Sequence, residues 1–144
     1  MLNGVNKLNL DAKGRMAIPS RYRERLMDDC NGHLVITLDT EKRVVIFPYD
    51  EWQDVEAKLV KLSMSKAAVR IKRFYLGHAT DCDMDKNGRI NIPPYVREMA
   101  GLDKQIVLLG MGNKFEVWDE QSWNDEMHTD DALDLSAELE SLNL

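Results

Sequence analysis

One stretch of this chain occurs twice, seventy-four residues apart, and any fold has to accommodate both copies. The first is "NLDAKGRMAIPSRYRERL", residues 9–26; the second is "DMDKNGRINIPPYVREMA", residues 83–100. Asp11, Gly14, Arg15, Ile18, Pro19, Arg23 and Glu24 recur as Asp85, Gly88, Arg89, Ile92, Pro93, Arg97 and Glu98, seven identities in the sixteen positions 11–26. With 144 residues, 44% of them hydrophobic, the chain can hold two small similar units around a shared core. Two copies in one chain also imply an internal two-fold relation.

The second copy opens like a calcium loop, with Asp83, Asp85 and Asn87 at alternate positions before Gly88. Such a loop needs a bidentate Glu six residues after its glycine, and here that place is taken by Pro94. Starting at Asp81 instead puts Lys86 on the glycine position and Ile92 on the glutamate position. The first copy sets a cation, Lys13, where a ligand is required. No metal is expected at either copy.

Turn chemistry explains most of the repeated residues. In "DAKG" and "DKNG" an Asp side chain can bond the amides ahead of it and the closing Gly can take positive φ. Asp11, Gly14, Asp85 and Gly88 are therefore assigned to the structural turns of the motif. The alternation of Val5, Leu8 and Leu10 before the first turn, and of Met16 and Ile18 after it, predicts a local β-hairpin. Pro19 and Pro93 stand at helix entrances, and Gly32 and Gly101 close those helices. The strands "HLVITLD" and "VVIFP" follow in one copy, "QIVLLGM" and "FEVW" in the other. Trp52 and Trp123 then begin matching helices, offset by 71 because the second connection is shorter. Between the copies, Trp52, Val55, Leu59 and Leu62 form one helical face, and Ala67, Ile71, Phe74 and Tyr75 are expected inward on the next helix, as core or subunit contacts.

The formal charge of −6 conceals a division. Residues 119–144 hold nine acids and no Lys or Arg, which leaves 19 bases and 16 acids in residues 1–118, a net of +3. The bases gather at residues 13–25 and 58–73, so a polyanionic partner fits the body of the chain. The acids of the tail are expected to form a plain solvated end; the alternative is that they lie against basic tips on the same or a neighbouring subunit and compete with that partner. Cys30 and Cys82 lack metal or redox spacing and are read as ordinary thiols. His33 and His78 stand isolated, so no catalytic residue is assigned and no enzyme is expected. No apolar run approaches the roughly 18 residues of a membrane helix, which points to the cytoplasm and to no membrane partner.

The arginine after each turn is left over by folding. Strand alternation alone would accept any polar residue at Arg15 and Arg89. An arginine fork can bond guanine O6 and N7 or bridge phosphates, and Lys13 and Lys86 at the same tips can neutralise phosphates. Arg15, Arg89, Lys13 and Lys86 are therefore the candidate DNA-binding residues. The alternative, compatible with the first, is that each Arg bonds its partner Asp and stiffens the turn. Arg21, Arg23 and Arg97 stay open between helix surface and phosphate contacts, and the Glu repeated directly after Arg23 and Arg97 points to a structural role.

The doubled framework, together with "LGHATDCDMDKNGRINIPPYVRE" and "GNKFEVWDEQSW", resembles the MraZ family of bacterial transcription regulators over residues 1–123. The resemblance implies an α+β, β-rich fold: tandem pseudo-two-fold β-α-β units forming a double-psi, swapped-hairpin AbrB-like barrel flanked by helices. Its expected divisions are a first repeat with its following helix at 1–62, a connecting helix at 63–80, a second repeat at 81–124 and an acidic, flexible tail at 125–144. It further implies a ring-shaped homo-oligomer, nucleoid-associated, that binds repeated short promoter motifs in double-stranded DNA upstream of its own operon, the division and cell wall gene cluster. The usual outcome is repression, and no cofactor is implied. A ring-forming interaction module that reads no DNA sequence is the competing expectation.

Overall fold

The computed structural model describes residues 1–129 and 133–144. The first copy supplies β1 (Leu2–Asn9), β2 (Arg15–Ala17), α1 (Ser20–Cys30), β3 (His33–Leu38), β4 (Val44–Pro48) and α2 (Tyr49–Val60). A helix α3 (Lys66–Tyr75) leads to the second copy: β5 (Thr80–Asp83), β6 (Arg89–Asn91), α4 (Pro94–Met99), β7 (Gln105–Gly112), β8 (Phe115–Asp119) and α5 (Glu120–His128). A short α6 (Ser136–Ser141) follows. The protein is α+β, with one six-stranded antiparallel sheet in the order β1-β7-β8-β4-β3-β5 and a separate two-stranded ribbon, β2-β6.

The two copies are interleaved. Read from either end, the sheet order exchanges β1 with β5, β7 with β3 and β8 with β4, which are the repeat-related strands. Met16 pairs with Ile90, its own equivalent at the offset of 74, and Val45 pairs with Glu116, its equivalent at 71. A pseudo-two-fold axis passes through both pairs. Among the described residues the strands do not close into a barrel by hydrogen bonding, since β1 and β5 end the sheet.

The local hairpin expected over residues 5–18 does not form. The turn itself closes, with Asp11 N–H on the Arg15 carbonyl at 2.9 Å and Gly14 N–H on the Asp11 carbonyl at 3.0 Å. Beyond it the arms part: β1 pairs along its whole length with β7, and β2 pairs with β6. An eight-residue ladder satisfies more backbone groups than the three residues of β2 offer, and the divergence turns Met16 and Ile90 into the core.

That core holds Ile18 and Ile92, the repeat-related isoleucines before the two prolines, both at 0% exposure, with Leu34, Ile36, Ile106, Leu108 and Phe115 around them. Each such side chain contributes about 1.5–3 kcal/mol on burial. The other face of the sheet packs Val35, Val45 and Phe47 against Trp52 and Leu59 of α2. Buried Thr37 donates its hydroxyl to the Tyr75 carbonyl at 2.7 Å, which pins the end of α3 to the sheet. On α3 the buried alanine is Ala68, whereas Ala67 is exposed, and Leu62 falls outside α2 and is also exposed. Of the set expected inward Ala67 was therefore misplaced, and the helical face expected through Leu62 ends before it: the Ser65 side chain accepts the Ala68 N–H and starts a new helix there.

The expected acidic tail begins later than its charge suggests. Asp119 caps α5 by accepting the Ser122 N–H, and Glu120 pairs with Lys7 at 3.7 Å. Asp130 and Asp131 of that tail lie outside the described residues. No helix among the described residues is long and apolar enough to cross a membrane.

Candidate nucleic-acid interface

The two turns are built alike to the atom. Asp11 Oδ1 accepts the N–H groups of Lys13 and Arg15, each at 2.9 Å, and its Oδ2 accepts Arg15 Nε at 2.7 Å. Asp85 Oδ1 accepts those of Asn87 and Arg89 at 2.8 and 2.9 Å, and its Oδ2 accepts Arg89 Nε at 3.0 Å. Both turn glycines have positive φ, +80° at Gly14 and +74° at Gly88, a region in which other residues are strained. The Arg15 backbone amide first, and then its side chain, hold the Asp11 carboxyl down at about 2; the Arg89 amide lowers Asp85 in the same direction. The stiffening role considered for the two arginines is thus present in both turns.

It leaves the outer part of each fork free. Only Nε is engaged by the aspartate, and among the described residues Nη1 and Nη2 of Arg15 and Arg89 have no hydrogen-bond partner. Each arginine side chain is partly exposed, at 35% and 40%. A guanidinium held at Nε with two amino groups outward is a preorganised donor pair for a planar or phosphate acceptor.

The structure brings these two arginines together on one surface. In the ribbon, Arg15 stands opposite Asn91 and Ala17 opposite Arg89, while Met16 and Ile90 between them are buried. Alternation puts all four flanking residues on the outer face. The ribbon extends at both ends, since Ile18 N–H donates to the Gly88 carbonyl at 2.8 Å and Ile92 N–H to the Gly14 carbonyl at 3.0 Å. Each tip is therefore tied to the strand that leaves the other. Lys13 and Lys86, both exposed, sit in the two tips at opposite ends of the ribbon.

Arg23 and Arg97 do something the sequence did not indicate. Neither forms an ion pair with the glutamate that follows it, among the described residues. Arg23 Nε donates to the Ile18 carbonyl at 2.6 Å and Arg97 Nε to the Ile92 carbonyl at 2.9 Å. Each guanidinium then covers the glycine of the other copy's turn, Arg23 over Gly88 and Arg97 over Gly14. The Glu repeated after each gave no hint of this.

His33 and His78, isolated in the sequence, both find partners in the fold. His33 Nε2 lies 2.9 Å from Asp81 Oδ1, because β3 pairs with β5, and its ring stacks on Tyr49. His78 contacts the Phe74 carbonyl through Nδ1 at 2.8 Å and stacks on Tyr95. Strand pairing across 48 residues was not visible in the local sequence around His33.

Comparison with known proteins follows the same division into two copies. One family model, described as "MraZ protein, putative antitoxin-like", matches residues 1–74 and again residues 75–144. The chain is 49% identical to the transcriptional regulator MraZ of Thioalkalivibrio sulfidiphilus (strain HL-EbGR7), over all of both chains. It is 48% identical to that of Halorhodospira halophila (strain DSM 244 / SL1), again over all of both, and 45% identical to that of Methylococcus capsulatus (strain ATCC 33009 / NCIMB 11132 / Bath), over 99% of each.

Proposed function

This chain belongs to the MraZ family, and on that premise we propose that it is a transcriptional regulator that reads promoter DNA with the outer face of the β2-β6 ribbon. The observation that carries this is the paired display of Arg15 and Arg89, each fixed at Nε by its own aspartate with its amino groups outward. Diagonal neighbours on one ribbon face lie about 7–8 Å apart, so the two forks span about two base-pair steps. Four residues at about 3.4 Å each separate the tips, roughly 14 Å, close to the ~12 Å width of a major groove. Lys13 and Lys86 then face the phosphates on either side.

The interleaved strands support the finer fold reading, a swapped-hairpin, AbrB-like arrangement in which each copy's β2 or β6 completes the other. On the family premise the target is a set of short repeats upstream of its own operon, the division and cell wall gene cluster, with repression as the outcome and a nucleoid-associated, cytoplasmic location. A ring of copies would present several ribbons together, and weak individual contacts would gain by effective concentration. Val60, Leu62 and Met64, exposed at the α2–α3 junction, provide apolar surface for that assembly.

The test is fluorescence anisotropy, over a range of salt, with a duplex from upstream of the protein's own gene and a scrambled duplex. Wild type should prefer the native duplex, and the Arg15→Ala, Arg89→Ala double variant should lose that preference. Equal binding to both duplexes, or none, would favour a ring-forming interaction module without sequence reading.

A further inference from the structure

The outer face of the ribbon obeys the pseudo-two-fold at its arginines and breaks it beside them. Rotation about the Met16–Ile90 pair exchanges Arg15 with Arg89, and it exchanges Ala17 with Asn91. Arg15 therefore has an asparagine directly across the ribbon, and Arg89 has an alanine. Asn91 is exposed, and its side chain makes no hydrogen bond among the described residues. Its neighbours Ile90 and Ile92, 2% and 0% exposed, supply the core contacts of that segment. Asparagine is a poor strand former, so local preference does not account for it. Neither turn nor cap uses it.

We propose, resting on the ribbon as the DNA-reading face, that Asn91 is a specificity-determining residue that bonds an adenine edge next to the guanine taken by Arg15. One N–H and the carbonyl oxygen of the carboxamide together complement adenine N7 and N6, as the arginine fork complements guanine O6 and N7. Residues directly opposite on paired strands have Cβ atoms about 4.5–5.5 Å apart, which suits neighbouring base pairs rising about 3.4 Å per step. Ala17 beside Arg89 presents only a methyl group, which can touch a thymine methyl and cannot hydrogen-bond. The chain consequently has two unequal halves: one selects guanine with an adjacent adenine, the other guanine with little demand at the next base.

The experiment is selection of bound duplexes from a randomised library, followed by sequencing, with wild type, Asn91→Ala, Ala17→Asn and the Arg15→Ala, Arg89→Ala double variant. Wild type should return a motif with adenine preferred beside one guanine. Asn91→Ala should keep the guanine and lower the adenine preference by about 5-fold to 100-fold, the range of one bidentate contact. Ala17→Asn should add an adenine preference beside the other guanine. Asn91 and Ala17 are exposed and Arg15 and Arg89 partly so, and thermal melting of each variant verifies folding. A wild-type motif recovered unchanged with Asn91→Ala and Ala17→Asn overturns this proposal while leaving the ribbon as the reading face. Recovery of the same motif with the arginine double variant, or of no motif with wild type, overturns the ribbon reading and this proposal with it.

Discussion

Arg97 of the second copy lies over Gly14 of the first, so that a Cβ on Gly14 would collide with its guanidinium; Arg23 covers Gly88 in the same way. Both arginines are also bonded to the carbonyl before a proline, at Ile92 and Ile18. Each copy thus closes the other's turn. Gly14→Ala has to bear positive φ and displace Arg97 from its carbonyl. The expected loss is about 1–3 kcal/mol, the usual range for a forced left-handed residue with a lost hydrogen bond. Gly88→Ala should match it, and urea unfolding should show a lowered midpoint with an unchanged slope.

The tips should also report on pH. Asp11 and Asp85 are exposed carboxylates whose values are lowered in the folded protein, chiefly by the amides of Arg15 and Arg89, Asp11 to about 2. A depressed folded value means that the unfolded chain binds the proton first as pH falls. Their contribution is therefore complete above the unfolded value of about 4 and fades as pH drops toward 2. Urea midpoints taken from pH 5 to pH 2.5 should fall more steeply for wild type than for the Asp11→Asn, Asp85→Asn double variant. Parallel curves for the two proteins would mean that other carboxylates govern acid unfolding.

How far the sequence reveals this arrangement depends on the range of the interaction. The turns were legible because every bond in them joins residues four or fewer apart, as between Asp11 and Arg15. Strand positions such as Val44–Pro48 were legible from continuous apolar character, and the offset of 71 reappears in the Val45–Glu116 pair. Partner choice was not legible. Nothing local to Met16 states that it pairs with Ile90 in place of residues across its own turn, because an alternating pattern marks a face and leaves the neighbour open. The Arg97–Gly14 contact, the His33–Asp81 pair and the exposed face shared by Arg15 and Asn91 all follow from that one choice.

Both thiols should react slowly. Burial against the core raises Cys30 and Cys82 above the ordinary thiol value, and Cys30 Sγ also donates to the Leu26 carbonyl at 3.2 Å. The thiolate is the reactive form, so alkylation by iodoacetamide at pH 8 should be several-fold slower in the folded protein than in urea. Intact-mass spectra over time would show the folded chain lagging by two adducts. Rapid single labelling would place one of the two cysteines in contact with solvent.

The acidic end offers a test that leaves the folded body alone. Removing residues 121–144 would take away Trp123, whose ring meets Trp118 edge-on at 5.3 Å, so a cut there would confuse lost packing with lost charge. Removing residues 130–144 keeps α5 and the Lys7–Glu120 pair and takes away five acids with no Lys or Arg. Leu135, Leu139 and Leu142 in this segment are exposed, so its loss should leave the melting temperature nearly unchanged. If the acids compete with DNA for Lys13, Lys86 and the arginine forks, the truncated chain should bind a scrambled duplex several-fold more tightly at 50 mM salt. The gap should narrow as screening shortens toward a Debye length of about 8 Å at 0.15 M. If the ribbon reads bases as proposed, binding to the native duplex should change less, because base contacts are local and resist screening. Equal affinity of the two chains for the scrambled duplex at low salt would show the acids to be solvated bystanders.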